Sequence, residues 1–550
     1  RQINYLYYGS GHLHQISLDD EVITDIERDQ LHREIFRTQG KLASRYELDP
    51  LGRLKKQIAT LNELTEGGKG KTKVAAAYAV KRSYGYDRTG NLTHSTDQRT
   101  GTTHFEYDKL GRITQAGNEV FAFDPAHNIL DIPTEKVKPY PAPSPVGEGR
   151  GEGKTTAPLS DDRSAITDNR LKTYNGTSYY YDHFGNLIHR ELADGEVQNY
   201  FYDLHDQLVK AEIFKKDGTK ETWSYTYDAL GRRIGKGRLK HEEVSDGLEK
   251  ETGFVWDGSH LLQEIHPDGR YTYIYTNPDS YEPLAQVHNR TNEEGESKQE
   301  THYFHCDQIG IPREMTDKDG NLVWFGDYYG WGKLKSETNI TETAHQPFRL
   351  QNQYADRETG LHYNFFRYYE PDAGRFVNQD PIGLEGGENL YAFAPNTQTW
   401  IDFLGLEKIL TKGVIYRSGS NSNINLTPRP GKDTTTGLSA SLDKQPGKCQ
   451  AIYVCKLQGS GLEAVNDHGR HVSIRPVNDP NKSKLVEWAN TRENASTNPS
   501  IYTQKLQQAI PQNNTSSRSY RLVSRGSGRM GCVTCKQGPT HRFTINNLYQ

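Results

Sequence analysis

A short motif recurring along the first half of the chain restricts what it can fold into more than any other feature. An aromatic residue and an aspartate are followed by two or three residues, then glycine, then arginine or asparagine. It reads Tyr86-Asp87-Arg88-Thr89-Gly90-Asn91, Tyr107-Asp108-Lys109-Leu110-Gly111-Arg112, Tyr181-Asp182-His183-Phe184-Gly185-Asn186 and Tyr227-Asp228-Ala229-Leu230-Gly231-Arg232. Looser copies stand at Leu48-Asp49, Phe123-Asp124 and Tyr202-Asp203. Tyr86 to Tyr107 and Tyr181 to Tyr202 are both 21 residues, the length of a strand pair with its turns. The aromatic is expected to pack on a sheet face with its hydroxyl kept wet, the aspartate to satisfy turn backbone donors, and the glycine to supply a positive φ. One hairpin cannot bury its own face, so neighbours must stack into a long sheet.

Composition agrees. With 33% hydrophobic residues and a mean hydropathy of -0.86, a single compact core is not expected. The 34 tyrosines and 51 glycines suit short strands and tight turns. Helical periodicity is nearly absent before the C-terminal quarter. No apolar run is long enough to cross a bilayer and no secretory leader opens the chain, so a start inside a repeat reads as a fragment lacking its targeting region. The Pro/Gly/Glu/Lys-rich stretch 133–162 interrupts the pattern and is expected to be a disordered surface insertion.

The recurring motif resembles the YD repeats of Rhs proteins and Tc-toxin C components. That resemblance implies a spiralling sheet forming a hollow shell over residues 1–325. The following segment, 326–406, is close to the Rhs core signature. It contains Asn364-Phe365-Phe366-Arg367-Tyr368-Tyr369-Glu370-Pro371, Asp380-Pro381-Ile382-Gly383-Leu384 and a closing Trp400-Ile401-Asp402-Phe403-Leu404-Gly405-Leu406. Phe403 stands where the family has proline. Members cut themselves after the final leucine with two aspartates, and by position the resemblance implies Asp380 and Asp402 as the pair, Arg367 as supporting cation and Leu406–Glu407 as the scissile bond. Two carboxylates sharing a proton supply a base for water and an acid for the carbonyl or leaving amine. From the residues alone, two aspartates 22 apart are turn residues, Asp-Pro being a common turn starter.

Charge divides at the same place. From residue 407 onward, 20 Lys and Arg face 8 Asp and Glu, giving +12; the preceding 406 residues hold 47 bases and 63 acids, giving -16. A basic tail beside an acidic body points to a polyanionic target such as nucleic acid, or to a surface that complements the body.

Residues 407–550 are enough for one small α+β domain. Strands are predicted at 413–417, 437–441, 451–457 and 471–476, and a helix over 482–492 carrying Trp488. This order resembles mono-ADP-ribosyltransferases of the arginine-serine-glutamate class. The resemblance implies NAD as cofactor, with Arg417 on its pyrophosphate, Ser439 of Ser439-Ala440-Ser441 on its nicotinamide side, and a glutamate on a later strand. His471 stands where that glutamate would be. Two other readings stay open: a metal-independent ribonuclease using His468, His471 or His541, and a zinc module built on Cys532 and Cys535 with Cys449 and Cys455. Ordinary thiols outrank zinc there, so no metal is expected.

The combined expectation is a mostly β chain with a small α+β toxin domain. It is a secreted effector that severs its own tail, and the tail transfers ADP-ribose to a translation-machinery target, RNA rather than protein, in the target-cell cytoplasm. The resemblance implies a cognate immunity protein and a secretion apparatus or chaperone as partners. An adhesive repeat protein with an inert tail is the reading from another class.

Overall fold

In the computed structural model the structure describes residues 2–61, 78–131, 166–240, 247–291, 297–341 and 344–510, with short gaps at 407, 412, 445, 458–459, 469–470, 478 and 480–481. The expected insertion at 133–162 lies outside them. The chain is mostly β, and in its two largest sheets the strands follow one another as antiparallel neighbours in sequence order. An 11-stranded sheet runs from Ile3–Tyr7 to Glu119–Val120, and a 15-stranded sheet from Thr173–Tyr174 to Leu334–Asn339. The second sheet therefore continues past residue 325 with no break in pairing.

Each motif copy builds one turn. Asp87 accepts through Oδ1 from the backbone N–H of Thr89, Gly90 and Asn91, and the Asn91 amide returns to its Oδ2 at 3.0 Å. Where arginine ends the motif, Arg112 Nε donates to Asp108 Oδ2 at 2.6 Å and Arg232 Nε to Asp228 Oδ2 at 2.7 Å. Gly90 takes a φ of 102° and Gly231 of 79°, which only glycine adopts without strain.

The repeat tyrosines depart from expectation. Four of their hydroxyls are not wet: each donates to a backbone carbonyl at the start of the adjacent, preceding strand. Tyr86 donates to Leu54 at 2.8 Å, Tyr107 to Leu92 at 3.0 Å, Tyr202 to Leu187 at 2.9 Å and Tyr227 to Leu208 at 2.8 Å. Burial pushes these phenols well above their usual range. A buried hydroxyl must find a partner, and the carbonyl at the opening of the preceding repeat strand is in reach. The tyrosine thus clips one repeat to the one before it.

Two buried histidines give the body an acid sensitivity. His305 accepts or donates one bond, to Thr316 Oγ1 at 2.9 Å. Burial first, then Arg82, Arg37 and Arg99, pushes its pKa down from 6.5 to about 3; His362 shifts the same way. Between those values the unfolded chain binds a proton that the folded chain refuses. The stability is complete above pH 6.5 and falls on acidification toward pH 3, by roughly 1.4 kcal/mol per unit for one group. Urea midpoints should drop from pH 7 to pH 5, and His305→Gln should reduce that drop by about 2 kcal/mol; an unchanged pH dependence would refute the assignment.

The tail forms a seven-stranded sheet in the spatial order Trp400–Ile401, Lys408–Leu410, Leu462–His468, His471–Pro476, Leu438–Ser441, Val414–Ser418, Cys449–Tyr453. One face carries a separate core in which Ile415, Leu438, Val472 and Ile474 pack with Trp488 and Leu506. The helices are Ser483–Asn490 and Ile501–Ala509, the second unanticipated although Ser500 caps it by accepting from Thr503 N–H. The strand expected at 451–457 lies instead at Cys449–Tyr453 and ends in a 3-10 turn, Val454–Lys456. Its register is set by pairing with Val414–Ser418.

The edge strand of this sheet comes from upstream of the expected cut. Trp400 pairs with Leu410 and Ile401 with Ile409, so the two strands form a hairpin whose connection includes residues 402–406. Trp400 is buried in the tail core, and Ile409 packs on the body core.

Candidate active sites

The two aspartates anticipated from sequence, 22 residues apart, meet on one guanidinium. Arg367 Nη2 lies 3.0 Å from Asp380 Oδ2 and 3.5 Å from Asp402 Oδ2, with all three side chains nearly sealed from solvent. The Arg367 guanidinium also stacks over Phe376, 3.6 Å from the ring centre, and Nη1 donates to the Leu390 carbonyl at 3.0 Å. Burial lowers the Arg367 pKa in spite of both carboxylates. Asp380 does serve its Asp-Pro turn as well, accepting from Ile382 N–H at 3.2 Å.

The segment before Leu406 is held residue by residue. Asn364 Nδ2 donates to the Asp402 carbonyl at 2.9 Å, Asn352 Nδ2 to Phe403 at 2.7 Å, Phe366 N–H to Leu404 at 3.2 Å, and Arg367 Nε to Gly405. Four consecutive carbonyls are fixed, largely by the tight turn between the strands His362–Asn364 and Arg367–Glu370, in which Phe365 takes a φ of 60°. The Leu406 N–H then donates to Asp402 Oδ1 at 2.9 Å. Phe403, in the proline position, packs its ring on Tyr281 with centroids 4.3 Å apart. Glu407 lies outside the described residues.

Gly386 brings the carboxylate to the bond. A Cβ there would stand 2.2 Å from Asp380 Oδ2 and 3.1 Å from the Leu406 carbonyl oxygen, so both groups lie against its bare Cα. Sequence reading missed Gly386, Asn364 and Asn352 as site residues; only the position of Asn364 at the head of a quoted motif hinted at it, Gly386 lying two residues beyond another. Gly386→Ala should displace the Asp380 carboxylate by about an ångström and slow cleavage by about 100-fold. The check is the cleaved fraction over time on denaturing gels; a rate within twofold of the parent would mean the close approach has no part in the chemistry.

In the tail, Ser439 and His471 come together: Ser439 Oγ and His471 Nε2 are 2.8 Å apart. They share a face because Ser441 pairs with His471 and Ser439 with Ser473. Arg417 is brought near but not into the same contact. Tyr416 pairs with Ser441, so Arg417 points to the other face, and its Nη1 donates to the Ser439 carbonyl at 2.6 Å while Nε donates to Asn425 O at 3.2 Å. Burial first lowers its pKa, offset in part by Asp433. The expected position on a pyrophosphate beside Ser439 and His471 is not met, because strand alternation buries the guanidinium on the other face against two backbone carbonyls. Cys449 is a half-buried free thiol. The side chains of His468 and Cys455, and all of Cys532, Cys535 and His541, lie outside the described residues.

Comparison with known proteins places these sites in context. Residues 86–119 match the model of the RHS Repeat and residues 301–338 that of the RHS protein family. The chain is 38% identical over 423 residues to Double-stranded DNA deaminase toxin A of Burkholderia cenocepacia, covering 74% of this chain and 27% of that protein. It is 32% identical over 436 residues to toxin protein Tse5 of Pseudomonas aeruginosa, covering 72% and 32%. Probable deoxyribonuclease RhsA of Dickeya dadantii is 27% identical over 421 residues, covering 74% and 26%. The chain thus spans about a quarter to a third of the length of these relatives. Two of the names give different activities, a deaminase and a deoxyribonuclease, although the match covers nearly the same share of this chain in each.

Proposed function

We propose, from a body that matches the RHS Repeat, that this chain is part of an Rhs polymorphic toxin that severs itself between Leu406 and Glu407. One observation carries the reading: Asp380 and Asp402 converge on Arg367 while Asp402 Oδ1 holds the Leu406 N–H and Gly386 is flanked by both Asp380 and the Leu406 carbonyl. A single buried cation between two carboxylates is best matched when the pair carries one proton. Water adds to the Leu406 carbonyl carbon and gives its proton to the ionised carboxylate. The other carboxyl protonates the carbonyl oxygen, and the proton then passes to the Glu407 nitrogen as the C–N bond breaks. Arg367 is a positioning residue: it fixes both carboxylates and, through Gly405, the strand being cut. Intact-mass measurement of the purified chain tests this, with fragments of 406 and 144 residues expected. A single uncut mass would favour a structural or adhesive repeat protein.

The severed tail is read as an enzyme delivered into another cell, with a cognate immunity protein protecting the producer. Relatives with differing named activities support a shared body with exchangeable ends. For this tail the reading is ADP-ribosyl transfer to the translation machinery, RNA favoured by the +12 charge. NAD would supply the ADP-ribosyl group; Arg417, on the opposite face of its strand, would act by holding the Ser439 carbonyl rather than the pyrophosphate. His471, its Nε2 fixed by Ser439, takes the place of the glutamate and would bind or deprotonate a ribose hydroxyl. The same Ser439–His471 contact and the nuclease relatives favour a second reading, a metal-independent nuclease. The cleaved chain, incubated with labelled NAD and lysate, separates them. Label entering RNA or protein supports transfer, whereas RNA fragments formed without NAD support the nuclease. His471→Ala should lower the transfer rate by about 10²–10⁴-fold, and full transfer by that variant would remove His471 from the chemistry.

A further inference from the structure

One side-chain cluster in the body is unused by either site. On the strand His260–His266, Glu264 is fully buried and His266 follows two residues later on the same face; His345 arrives from the segment that leaves the large sheet. His266 Nε2 lies 3.1 Å and His345 Nε2 3.0 Å from the same carboxylate oxygen, Glu264 Oε2. Tyr354 also donates to that oxygen at 2.9 Å, and Tyr273 to its partner Oε1. The two imidazole rings stand nearly perpendicular, 5.4 Å apart and 75° between planes.

We propose that Glu264, His266 and His345 form a site for a divalent transition-metal ion of the zinc class. The ligand set is two neutral imidazoles and a carboxylate, the donors that zinc takes. Both histidines aim the same nitrogen at one oxygen, which is the arrangement of ligands around an ion and one more than the hydrogen-bonding of that oxygen needs. With bonds of roughly 2.0–2.2 Å, tetrahedral ligand atoms are about 3.4 Å apart. The two observed separations fall a few tenths of an ångström short, so the ion requires only a slight opening. His266 and His345 line a cavity of about 360 Å³ together with Thr252 and Pro347, which leaves room for water or an exogenous ligand beside them. Tyr354 and Tyr273 orient the carboxylate from behind, the role that outer partners play around metal ligands. Ligation would tie a wall strand of the sheet to the segment leading into the turn that carries Arg367.

The test uses the full chain, stripped with chelator and titrated with Co²⁺, then with Zn²⁺ in competition. One equivalent is expected to give weak visible bands without the intense near-ultraviolet absorption of thiolate ligation, and Zn²⁺ should displace it. Cys532→Ser/Cys535→Ser should keep this signal, whereas His345→Ala should weaken the site by more than the 10–100-fold that outer-shell changes cause. Glu264→Gln, which keeps the shape of the side chain, provides the second variant if His345→Ala does not fold, and it too should lose the equivalent. Absence of binding, a thiolate spectrum only, or binding unaffected by Glu264→Gln or His345→Ala overturns the proposal.

Discussion

An Asp402→Asn chain is expected to purify as one uncut polypeptide, and Asp380→Asn likewise, each slowing cleavage by at least about 1,000-fold. Removing the general acid or the base from a proton-transfer step costs about 10²–10⁴-fold, and here each aspartate has a second task. Asp402 Oδ1 holds the Leu406 N–H, and Asp380 and the Leu406 carbonyl both lie against Gly386. Asparagine keeps the volume and can still accept through one oxygen, so the fold and the hairpin should persist while the shared proton is lost. Mass spectrometry over days distinguishes a slow cut from none. Arg367→Lys should be milder in charge but severe in effect, because an ammonium cannot span Gly405, Leu390 and both carboxylates at once. Normal cleavage in both aspartate variants would leave the pair as turn residues only.

Arg233→Met is expected to cost about 3–5 kcal/mol, the loss seen when one partner leaves a buried ion pair. Arg233 is fully buried, its Nη1 2.6 Å from Asp356 Oδ2 and its guanidinium carbon 4.3 Å from the Tyr363 ring centre. Nε and Nη2 have no hydrogen-bond partner among the described residues and face aromatic rings, so the cation is held by Asp356 and π faces together. Without it, Asp356 keeps only Lys236, at 2.9 Å, which it must share with Glu358 at 3.0 Å. Arg190 with Glu370 and Arg82 with Glu314 repeat the device at other strands. Two of the three bridges anchor the segment bearing Arg367, so chemical denaturation and cleavage should weaken together. Adding Asp356→Leu to Arg233→Met should recover part of the loss, since it removes the orphaned charge; no recovery would place the cost in the aromatic contacts.

What the sequence made legible followed the range of each interaction. The turn at Asp87 is closed by residues within four positions, so its chemistry could be written from the motif. The destination of the Tyr86 hydroxyl could not, because Leu54 is 32 positions away and becomes its neighbour only through sheet pairing. Asp380, Asp402 and Arg367 were reached through a family signature, whereas Gly386 and Asn352 act by close approach and by a backbone acceptor, which leave no pattern in spacing. In the tail, Ser439 and His471 fell in register because the strand at 471–476 was placed correctly. Arg417 was expected on the same cleft, but alternation along Val414–Ser418 turns it to the opposite face.

The hairpin from Trp400 to Leu410 sets what breaking one bond in its loop achieves. Before the cut the two strands belong to one polymer, and their pairing faces no competition from diffusion. Afterwards the same ladder, with Trp400 in the tail core and Ile409 on the body core, becomes an interface between two molecules. It then has a dissociation constant, and dilution and salt can shift it, the more so with +12 on one partner and -16 on the other. Proteolysis alone therefore converts a permanent link into a reversible complex, and departure of the tail is a separate event with its own rate.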